Sequence, residues 1–402
     1  MAARIRDGSL GAAATRLHSL RVTLHESHVA WAAYEARLGR LRGPPRYVRS
    51  ELSADRTLHF VLPGDPATLT GGYIYDRNII GGLRALGWDV RLHVLDSSFP
   101  FPTETAIRAA EECLADIATN GLAVIDGLAL GAMPKIVARH AERLTLVGLV
   151  HHPLADETGL DARQRRELAE SETGALQAVR RVIVTSTWTR QQLIDDGISE
   201  NRIGVVEPGA ELASIARGSG RADPTLLCVA TLTPRKGHAV LLDALARLLD
   251  RPWRLDCVGS LERDTATVEQ LRAQIERTGL ADRVRLLGEL TDEALDECYA
   301  SADLFVLASY VEGYGMAHAE ALARGLAIVA TAAGAVPHTV PSTAGLLVAP
   351  GNVEALTTAL ARVLDDAALR ETLAHGARAA RERLPIWQQA CAQFDAQLRA
   401  VR

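Results

Sequence analysis

Short apolar runs alternate with helical segments along most of this chain, and that alternation restricts the folds it can form. From residue 57 onward each run is followed by glycine and then by a stretch with helical periodicity. Such a pattern predicts parallel strands with helices on both faces of a sheet and ligands beyond the carboxyl ends of the strands. The runs are residues 58–62, 90–95, 122–125, 144–150 and 182–185, then 225–230, 253–258, 284–287, 304–307, 327–330 and 345–348.

A break in this pattern divides the chain into two halves. The 402 residues exceed the usual size of a single core, and residues 209–223 contain glycines but no periodicity, as a linker does. We therefore predict an α/β protein with a Rossmann-like domain over residues 56–208, a second over residues 224–385, and a cleft between them. Residues 386–402 are predicted to form a carboxyl-terminal helix, which could pack back on the first domain.

Composition excludes several classes of protein. Aromatic residues make up 4% of the chain and alanine is abundant, which favours helices packed on sheets over a β-sandwich. A net charge of −5 argues against a nucleic-acid partner held by phosphate attraction. The five cysteines lack the spacing of a zinc or redox motif, and no signal peptide or spanning helix is evident. We expect free thiols, no metal and a cytoplasmic location.

Residues 1–55 form an arginine-rich extension without a strong strand signal. Within it Trp31, Tyr34, Leu38 and Leu41 recur at helical spacing beside arginines, which predicts a basic amphipathic helix. A helix docked on the protein, or a loose leader, is favoured over contact with a membrane surface.

The segment from Glu312 to Glu320 places two carboxylates on either side of a glycine-bearing helix start. It follows the apolar run 303–309, which is typical of a buried strand, and it precedes an alanine-rich helical pattern that extends to residue 327. Glycines 313 and 315 allow backbone N–H groups to approach an anion at the positive end of the helix. A diphosphate carrying sugars at both ends suits this arrangement.

A second candidate loop lies between the first strand of the second half and a helical stretch over residues 239–249. It contains Arg235 and Lys236. Only Lys135 and Lys236 are lysines among 44 basic residues, so lysine is not the residue this chain uses for ordinary surface charge. A compact ammonium and an adjacent guanidinium suit phosphate oxygens in a crowded pocket, whereas cations near a helix start are otherwise mildly unfavourable.

These motifs resemble the retaining glycosyltransferases of family 4, which have the GT-B fold of two facing Rossmann-like domains and belong to the glycosyl transferases group 1. The resemblance rests on Pro-Arg-Lys-Gly at 234–237, Val-Gly at 258–259, the segment 312–320 and the run 345–351, in the family's order and spacing. It extends over roughly residues 57–385.

The resemblance implies roles for the second half. It implies that Arg235 and Lys236 hold the diphosphate of a nucleoside diphosphate sugar and that Glu312 binds hydroxyls of the transferred sugar. Glu320 would accept a hydrogen bond from the ribose. The donor segment also contains Gly313, Tyr314, Gly315 and Met316, the last two offering backbone N–H groups.

The first half supplies the other side of the predicted cleft. Gly71 and Gly72 lie in a short loop before a helical stretch over residues 74–86, and their position resembles the family's glycine loop. Two histidines follow the run 144–150 at the carboxyl end of a strand. The resemblance points to His151 as the active-site histidine, with His152 as its competitor, and to hydrogen bonding with the donor sugar. Ser186, Arg190 and Glu207 are secondary candidates.

The predicted reaction is transfer of a hexose-type sugar to an acceptor hydroxyl with retention of configuration. Cations and helix-start N–H groups would stabilise the leaving diphosphate, so neither a metal nor a cofactor is expected. The donor base, the donor sugar and the acceptor stay open. The arginine-rich extension permits an acidic or lipid-bound acceptor without requiring one.

One departure from the family pattern follows Gly334, where Ala335 and His338 replace the usual glycine and glutamate. A change in loop packing is favoured over a change in donor choice. Three alternatives stay open: a GT-B phosphorylase or nucleotide-sugar epimerase, a non-catalytic nucleotide-sugar-binding protein, and a dinucleotide oxidoreductase. The last lacks the Gly-x-Gly-x-x-Gly pattern after either first strand.

Overall fold

Two parallel sheets of six strands each dominate the computed structural model, which describes residues 19–26, 30–37, 56–157, 159–211 and 213–402. Ahead of both sheets, strands β1 (Ser19–Glu26) and β2 (Ala30–Arg37) pair with each other in antiparallel register. The predicted fold class, two Rossmann-like parallel sheets, is confirmed.

The prediction of a helix in the extension is wrong where the structure describes it. Trp31 and Tyr34 lie on β2, opposite His25 and Val22 of β1. The alternation of apolar and polar residues in Ser-Leu-Arg-Val-Thr-Leu-His-Glu over 19–26 has the period of two that favours a strand. Leu38 and Leu41 lie outside the described residues.

The first sheet has the strand order β4-β3-β5-β6-β7-β8. Its strands are β3 (Thr57–Pro63), β4 (Asp89–Leu95), β5 (Leu122–Asp126), β6 (Thr145–Val150), β7 (Arg181–Val184) and β8 (Ile203–Val205). Its helices are α1 (Gly71–Ala85), α2 (Glu104–Ala115), α3 (Gly127–Leu130), α4 (Pro134–His140), α5 (Ala162–Ala178) and α6 (Thr187–Asp195), with short 3-10 helices at Leu154–Asp156 and Glu200–Arg202. The short strand β8 was not predicted.

The second sheet has the strand order β11-β10-β9-β12-β13-β14. Its strands are β9 (Thr225–Val229), β10 (Arg254–Val258), β11 (Val284–Gly288), β12 (Leu304–Leu307), β13 (Ile328–Thr331) and β14 (Gly345–Val348). Its helices are α7 (His238–Ala246), α8 (Thr265–Arg277), α9 (Asp292–Ala300), α10 (Met316–Ala323), α11 (Val336–Thr339), α12 (Val353–Asp365) and α13 (Ala367–Arg381), with a 3-10 helix at Pro234–Lys236.

Burial explains why the apolar runs form central strands. Every residue of β5 and of β12 is buried, as expected for parallel strands covered on both faces. Helix α10 ends at Ala323 rather than at the predicted residue 327, because Gly325 adopts a positive φ of 70° that terminates the helix before β13. The predicted helix over 239–249 likewise begins and ends earlier, as α7.

The last helix, α14 (Trp387–Arg399), crosses back to the first sheet. It packs against α1 and buries Cys391, Phe394 and Leu398 in the core under that sheet. Its polar face is bonded there as well, since Trp88 Nε1 donates to Asp395 Oδ1 at 2.8 Å.

The two backbone connections between the sheets lie side by side. The N–H group of Ala210, in the first connection, donates to the carbonyl of Pro385, in the second, at 2.7 Å. A Cβ at Gly209 would lie 2.2 Å from the backbone nitrogen of Trp387, so only glycine allows this close approach.

All five cysteines are free thiols. None of the helices in the described part of the chain combines the length and the apolar character needed to span a bilayer.

Candidate active site

A cavity of about 910 Å³ lies between the carboxyl ends of the two sheets. The first half contributes the start of α1 and the loops after β5 and β6. The second half contributes the loops after β9, β10, β11 and β12. This is where an open parallel sheet presents its ligand-binding loops, and the volume is within the range of small-molecule sites.

Every residue predicted for the site, apart from the secondary candidates, borders this cavity. The first half contributes Gly71, Gly72 and His151, and the second contributes Arg235, Lys236, Glu312, Gly313, Tyr314, Gly315, Met316 and Glu320. The structure therefore brings the predicted residues together from both halves, while their individual roles stay predictions.

The loop with Arg235 and Lys236 is held rigidly at the end of β9. Residues Pro234–Lys236 form a single 3-10 turn, and Gly237 follows with a φ of 66°. A Cβ at position 237 would lie 2.0 Å from the carbonyl oxygen of Ala308, so the turn requires glycine. Tyr310 N–H donates to the carbonyl of Arg235 at 2.8 Å, which ties this loop to the one after β12.

Lys236 and Glu312 form a largely buried ion pair in the wall of the cavity. Lys236 Nζ lies 2.7 Å from Glu312 Oε1, and the same oxygen accepts a hydrogen bond from Ser309 Oγ at 2.6 Å. Arg235 Nη1 donates to the carbonyl of Val311 at 3.1 Å. Both cations are thus held next to the loop that precedes α10.

These charged groups shift one another's pKa values. Burial opposes ionisation of Glu312, but Lys236 and then Arg235 outweigh burial and lower its pKa to about 2. Burial also lowers the pKa of Lys236, with Glu312 acting in the opposite direction. The carboxylate is therefore ionised at neutral pH, and a positively charged partner is built into the wall of the cavity.

The residues after Glu312 present a helix start to the same space. Gly315 precedes α10 with a φ of 92°, and Met316 is the first residue of that helix. Free N–H groups at such a terminus favour an anion. At the far end of the segment, Tyr299 O–H donates to Glu320 Oε2 at 2.8 Å, and burial raises the pKa of that carboxyl group.

Gly313 is the point at which the two halves approach most closely in this segment. A Cβ there would lie 1.9 Å from the carbonyl oxygen of His151, so any other residue would separate the two sides. The carbonyl of His151 also accepts a hydrogen bond from Thr185 Oγ1 at 3.1 Å.

The double glycine is the first turn of α1, not the loop that was predicted before it. Helix α1 begins at Gly71, and its first two residues lack side chains, which allows the neighbouring segments to approach. A Cβ at Gly72 would lie 3.3 Å from the ring of His151, and one at Gly71 would lie 3.5 Å from Met316 Sδ. The starts of α1 and α10 therefore face each other across the cavity.

His151 is held by two buried carboxylates that sequence analysis missed. Its Nε2 lies 3.1 Å from Asp76 Oδ1 and 3.3 Å from Asp126 Oδ2. Burial alone would lower the pKa of His151, but Asp76 and Asp126 outweigh it and raise the pKa well above 6.5. Burial raises the pKa of Asp76, which His151 partly offsets. A protonated ring is therefore fixed at this side of the cavity.

A signal for Asp126 was present, because it follows the apolar run 122–125 at a strand end. Asp76 carries no comparable signal, since it lies in the second turn of α1. His152, the competing histidine, bonds instead to Glu157, with Nε2 2.6 Å from Oε1.

His318 is a further residue that sequence analysis missed. It borders the cavity on α10, and both ring nitrogens are buried without a hydrogen-bond partner among the described residues. Burial lowers its pKa to about 4, so the ring is neutral.

The secondary candidates do not reach the main cavity. Ser186 caps α6 by accepting from Thr189 N–H, and Arg190 pairs with Glu200. Glu207 borders a separate small cavity of about 180 Å³ together with Ser186, Ala335 and His338. The departures at 335 and 338 thus lie behind the site, and the buried Ala335 donates its N–H to the carbonyl of Glu312.

Within the described part of the chain, two groups of side chains have potential metal-ligand atoms within 4.8 Å of one another. One is the Asp76, Asp126 and His151 cluster, and the other is Cys228, His238 and Cys257, buried beneath the Arg235 loop. Sequence spacing did not predict the second group, because its cysteines come from the paired strands β9 and β10.

Comparisons with known proteins agree with this geometry. Residues 214–380 match the family model described as glycosyl transferases group 1. The MMP alpha-(1->4)-mannosyltransferase of Mycolicibacterium hassiacum is 30% identical over 313 residues, which cover 74% of each chain. The chain belongs to the glycosyl transferases group 1. Its predicted family is confirmed.

Solved glycosyltransferase structures share the fold of this group 1 chain. Sucrose-phosphate synthase from Thermosynechococcus elongatus has a TM-score of 0.72 at 22% identity, covering 86% of this chain and 99% of its own. Anabaena Alr3699/HepE, solved in complex with UDP and glucose, has a TM-score of 0.67 at 20% identity, covering 85% and 99%. Both likenesses concern the architecture of the two domains.

Proposed function

We propose that this glycosyltransferase moves a hexose-type sugar from a nucleoside diphosphate sugar to an acceptor hydroxyl, with retention of configuration and without a metal. The observation that carries the proposal is the convergence of Arg235, Lys236 and the start of α10 on one cavity between two parallel sheets. The mannosyltransferase relative and the UDP-bound neighbour support a nucleotide-sugar donor.

The leaving diphosphate is the group this arrangement suits best. Charge grows on its oxygens as the bond to the sugar breaks, and pre-organised donors there stabilise the transition state more than the ground state. Lys236 is already oriented by Glu312 and Arg235 by the Val311 carbonyl. The cations therefore need little rearrangement when the donor binds.

The transferred sugar would lie between Glu312 and His151. Asp76 and Asp126 are bonded to His151, and Glu312 is bonded to Lys236, so each of these carboxylates already has a cationic partner. The departing phosphate oxygen is then the acceptor for the proton of the attacking hydroxyl. Attack from the face that the phosphate leaves would retain the configuration.

Independence from metals rests on the charges of the protein itself. Arg235 and Lys236 supply positive charge where a divalent cation would otherwise be needed, and Asp76 and Asp126 already have His151 as their common partner. We expect a chelator to leave the transfer rate unchanged. The free cysteines fit our prediction of a cytoplasmic enzyme.

Binding and transfer assays test this proposal together. Thermal unfolding in the presence of UDP, GDP and ADP, and of their hexose derivatives, should give a raised midpoint for one base, because a ligand bound to the native state stabilises it. The stabilising donor is then incubated with a panel of hydroxyl acceptors and a chelator, and NMR reads the anomeric configuration of the product.

Each competing function has its own outcome in this assay. Release of a sugar 1-phosphate that depends on inorganic phosphate would indicate a phosphorylase, and donor isomerisation without acceptor would indicate an epimerase. Binding without turnover of any acceptor would indicate a binding protein. An inverted product or abolition by the chelator would contradict the retaining, metal-independent reaction.

A further inference from the structure

The acceptor side of the cavity differs in charge from the donor side. The described residues of the first half that border the cavity lie between 69 and 208, and no lysine or arginine is among them. The charged groups there are Asp76, Asp126, Glu157 and the two histidines. Among the described residues, the arginines and lysine that border the cavity, Arg235, Lys236 and Arg263, belong to the second half, and the protonated His151 on the first-half side is already paired with Asp76 and Asp126.

The arginine next to Asp76 is bonded to backbone carbonyls outside the cavity. Arg77 follows Asp76 in α1, but its Nη1 donates to the carbonyls of Pro66 at 2.5 Å and Thr68 at 2.9 Å. It caps the loop before α1 and does not border the cavity. Recognition of a phosphate would require such a guanidinium, or an ammonium, to face the ligand.

Two carboxylates on this side reinforce the difference. Asp126 is buried beside His151, and Glu157 borders the cavity near His152. Although burial opposes it, hydrogen bonding to His152 lowers the pKa of Glu157 to about 2, so its charge is present at neutral pH. Asp126 is paired with His151, and Glu157 lies 2.6 Å from His152 Nε2 and 3.8 Å from Arg235 Nε, so the cations near this wall already have carboxylate partners and an anionic acceptor would have to displace one of them.

The remaining surface on this side is apolar. Leu69 and Phe101 have exposed fractions of 46% and 55%, and Phe99, Leu128 and Leu160 border the same space. Such groups pack against the C–H faces of a sugar ring, while Asp126 and Glu157 offer oxygens to its hydroxyls.

We infer that the acceptor of this glycosyltransferase is an uncharged sugar, and that sugar phosphates are poor acceptors. The inference rests on the proposed transferase function and adds the class of acceptor.

Matched acceptor pairs test the inference. With the donor identified by thermal unfolding, kcat/KM is measured for free monosaccharides and their methyl glycosides and for the corresponding sugar 6-phosphates and 1-phosphates. We expect kcat/KM to be roughly tenfold or more higher for the neutral member of the preferred pair. A phosphate at this wall would lack one charge-assisted hydrogen bond, and that loss predicts an effect of this size. A phosphorylated member that is equal or better would overturn the inference.

A charge placed on the wall provides a second test. Leu69→Arg puts a guanidinium at an exposed position bordering the cavity, and it should narrow the ratio between neutral and phosphorylated acceptors severalfold. Val94→Arg is the matched control, because Val94 is 53% exposed on the edge strand β4 and does not border the cavity. It should leave the ratio unchanged. The inference would be contradicted if the wild type uses neutral and phosphorylated acceptors about equally and Leu69→Arg does not change the ratio of their kcat/KM values.

Arg263 is the exposed cation on the opposite rim, and Arg263→Ala separates its contribution. If the variant loses activity with phosphorylated acceptors only, that side chain serves them and the inference is wrong. Use of neither class while donor binding is intact would also overturn it. Absence of donor binding would instead refute the transferase function on which it rests.

Discussion

The two sides of the cavity are built in different ways. On the second-half side, the functional groups lie in two short loops, one after β9 and one after β12, and each loop leads into a helix. On the first-half side, Asp76, Asp126 and His151 come from a helix and two separate strand ends. Each second-half loop carries its functional groups on a few adjacent residues, whereas the first-half groups come singly from three elements. Both sets meet only in the folded protein, since Lys236 and Glu312 are 76 residues apart.

The difference suggests a division of tasks. The second-half loops offer cations and helix-start N–H groups, which suit a diphosphate that many nucleotide sugars share. The first-half wall offers a protonated imidazole, carboxylates and apolar side chains, which suit the variable part of the reaction. Variants on the two sides should therefore fail in different ways.

The largest effect is expected from Lys236→Ala. Loss of one pre-organised donor to the leaving group should lower kcat/KM by about 10²–10³-fold. Lys135→Ala is the matched control, since Lys135 is the only other lysine and is exposed on α4. Steady-state kinetics measures both variants, and circular dichroism checks their folding. Near-normal turnover by folded Lys236→Ala would remove the second-half loop from the mechanism.

A smaller effect is expected from His151→Ala, and it should include stability. Removing the ring leaves Asp76 and Asp126 buried without their cation, which should cost about 3 kcal/mol of folding free energy. His152→Ala should cost less, because its partner Glu157 is 31% exposed at the side chain. Urea unfolding measures both. Equal losses would mean that the two histidines do not differ as the structure indicates.

The third effect is a dependence of stability on acid. The folded-state pKa of Glu312 is about 2, below its ordinary 4.5, so its ion pair stabilises the fold fully above pH 4.5. That contribution is lost as the pH falls from 4.5 towards 2. The midpoint of thermal unfolding should therefore fall less steeply with acid in Glu312→Gln than in the wild type.

Glu157→Gln is the comparison from the first-half wall. Its folded-state pKa is also about 2, but its side chain is 31% exposed, against 8% for Glu312. Solvent screening should make its effect on the acid profile smaller. If Glu157→Gln changes the acid dependence of the unfolding midpoint more than Glu312→Gln does, the ion pair of Glu312 with Lys236 is not the stronger of the two.

Local patterns explain how much could be predicted from the sequence. The central strands were found because each is an apolar run that folds into a position buried on both faces. Arg235, Lys236 and Glu312 were found because their loops directly follow such strands. The hairpin of β1 and β2 contradicts the predicted helix, because Trp31 and Tyr34 fit helical spacing as well as they fit a strand, and the alternation in β1 is the only local signal for the hairpin.

The first-half wall was predicted only in part, for a physical reason. His151 stood out at a strand end, but its partners come from positions separated by 75 and 25 residues along the chain, and their meeting depends on strand order. The Cys228, His238 and Cys257 group has the same origin, because β9 and β10 pair in parallel. Predicting pairwise contacts of this kind requires the order of the strands in the sheet as well as the local sequence pattern.

The return of α14 to the first sheet means that the second domain is held at both of its ends. Its two connections run side by side, joined by the hydrogen bond from Ala210 to Pro385. Two adjacent tethers allow rotation about the line through them and resist twisting or separation. We therefore expect any opening of the cleft to be a rotation about that line, which would bring Lys236 and His151 back to the same relative position on closing.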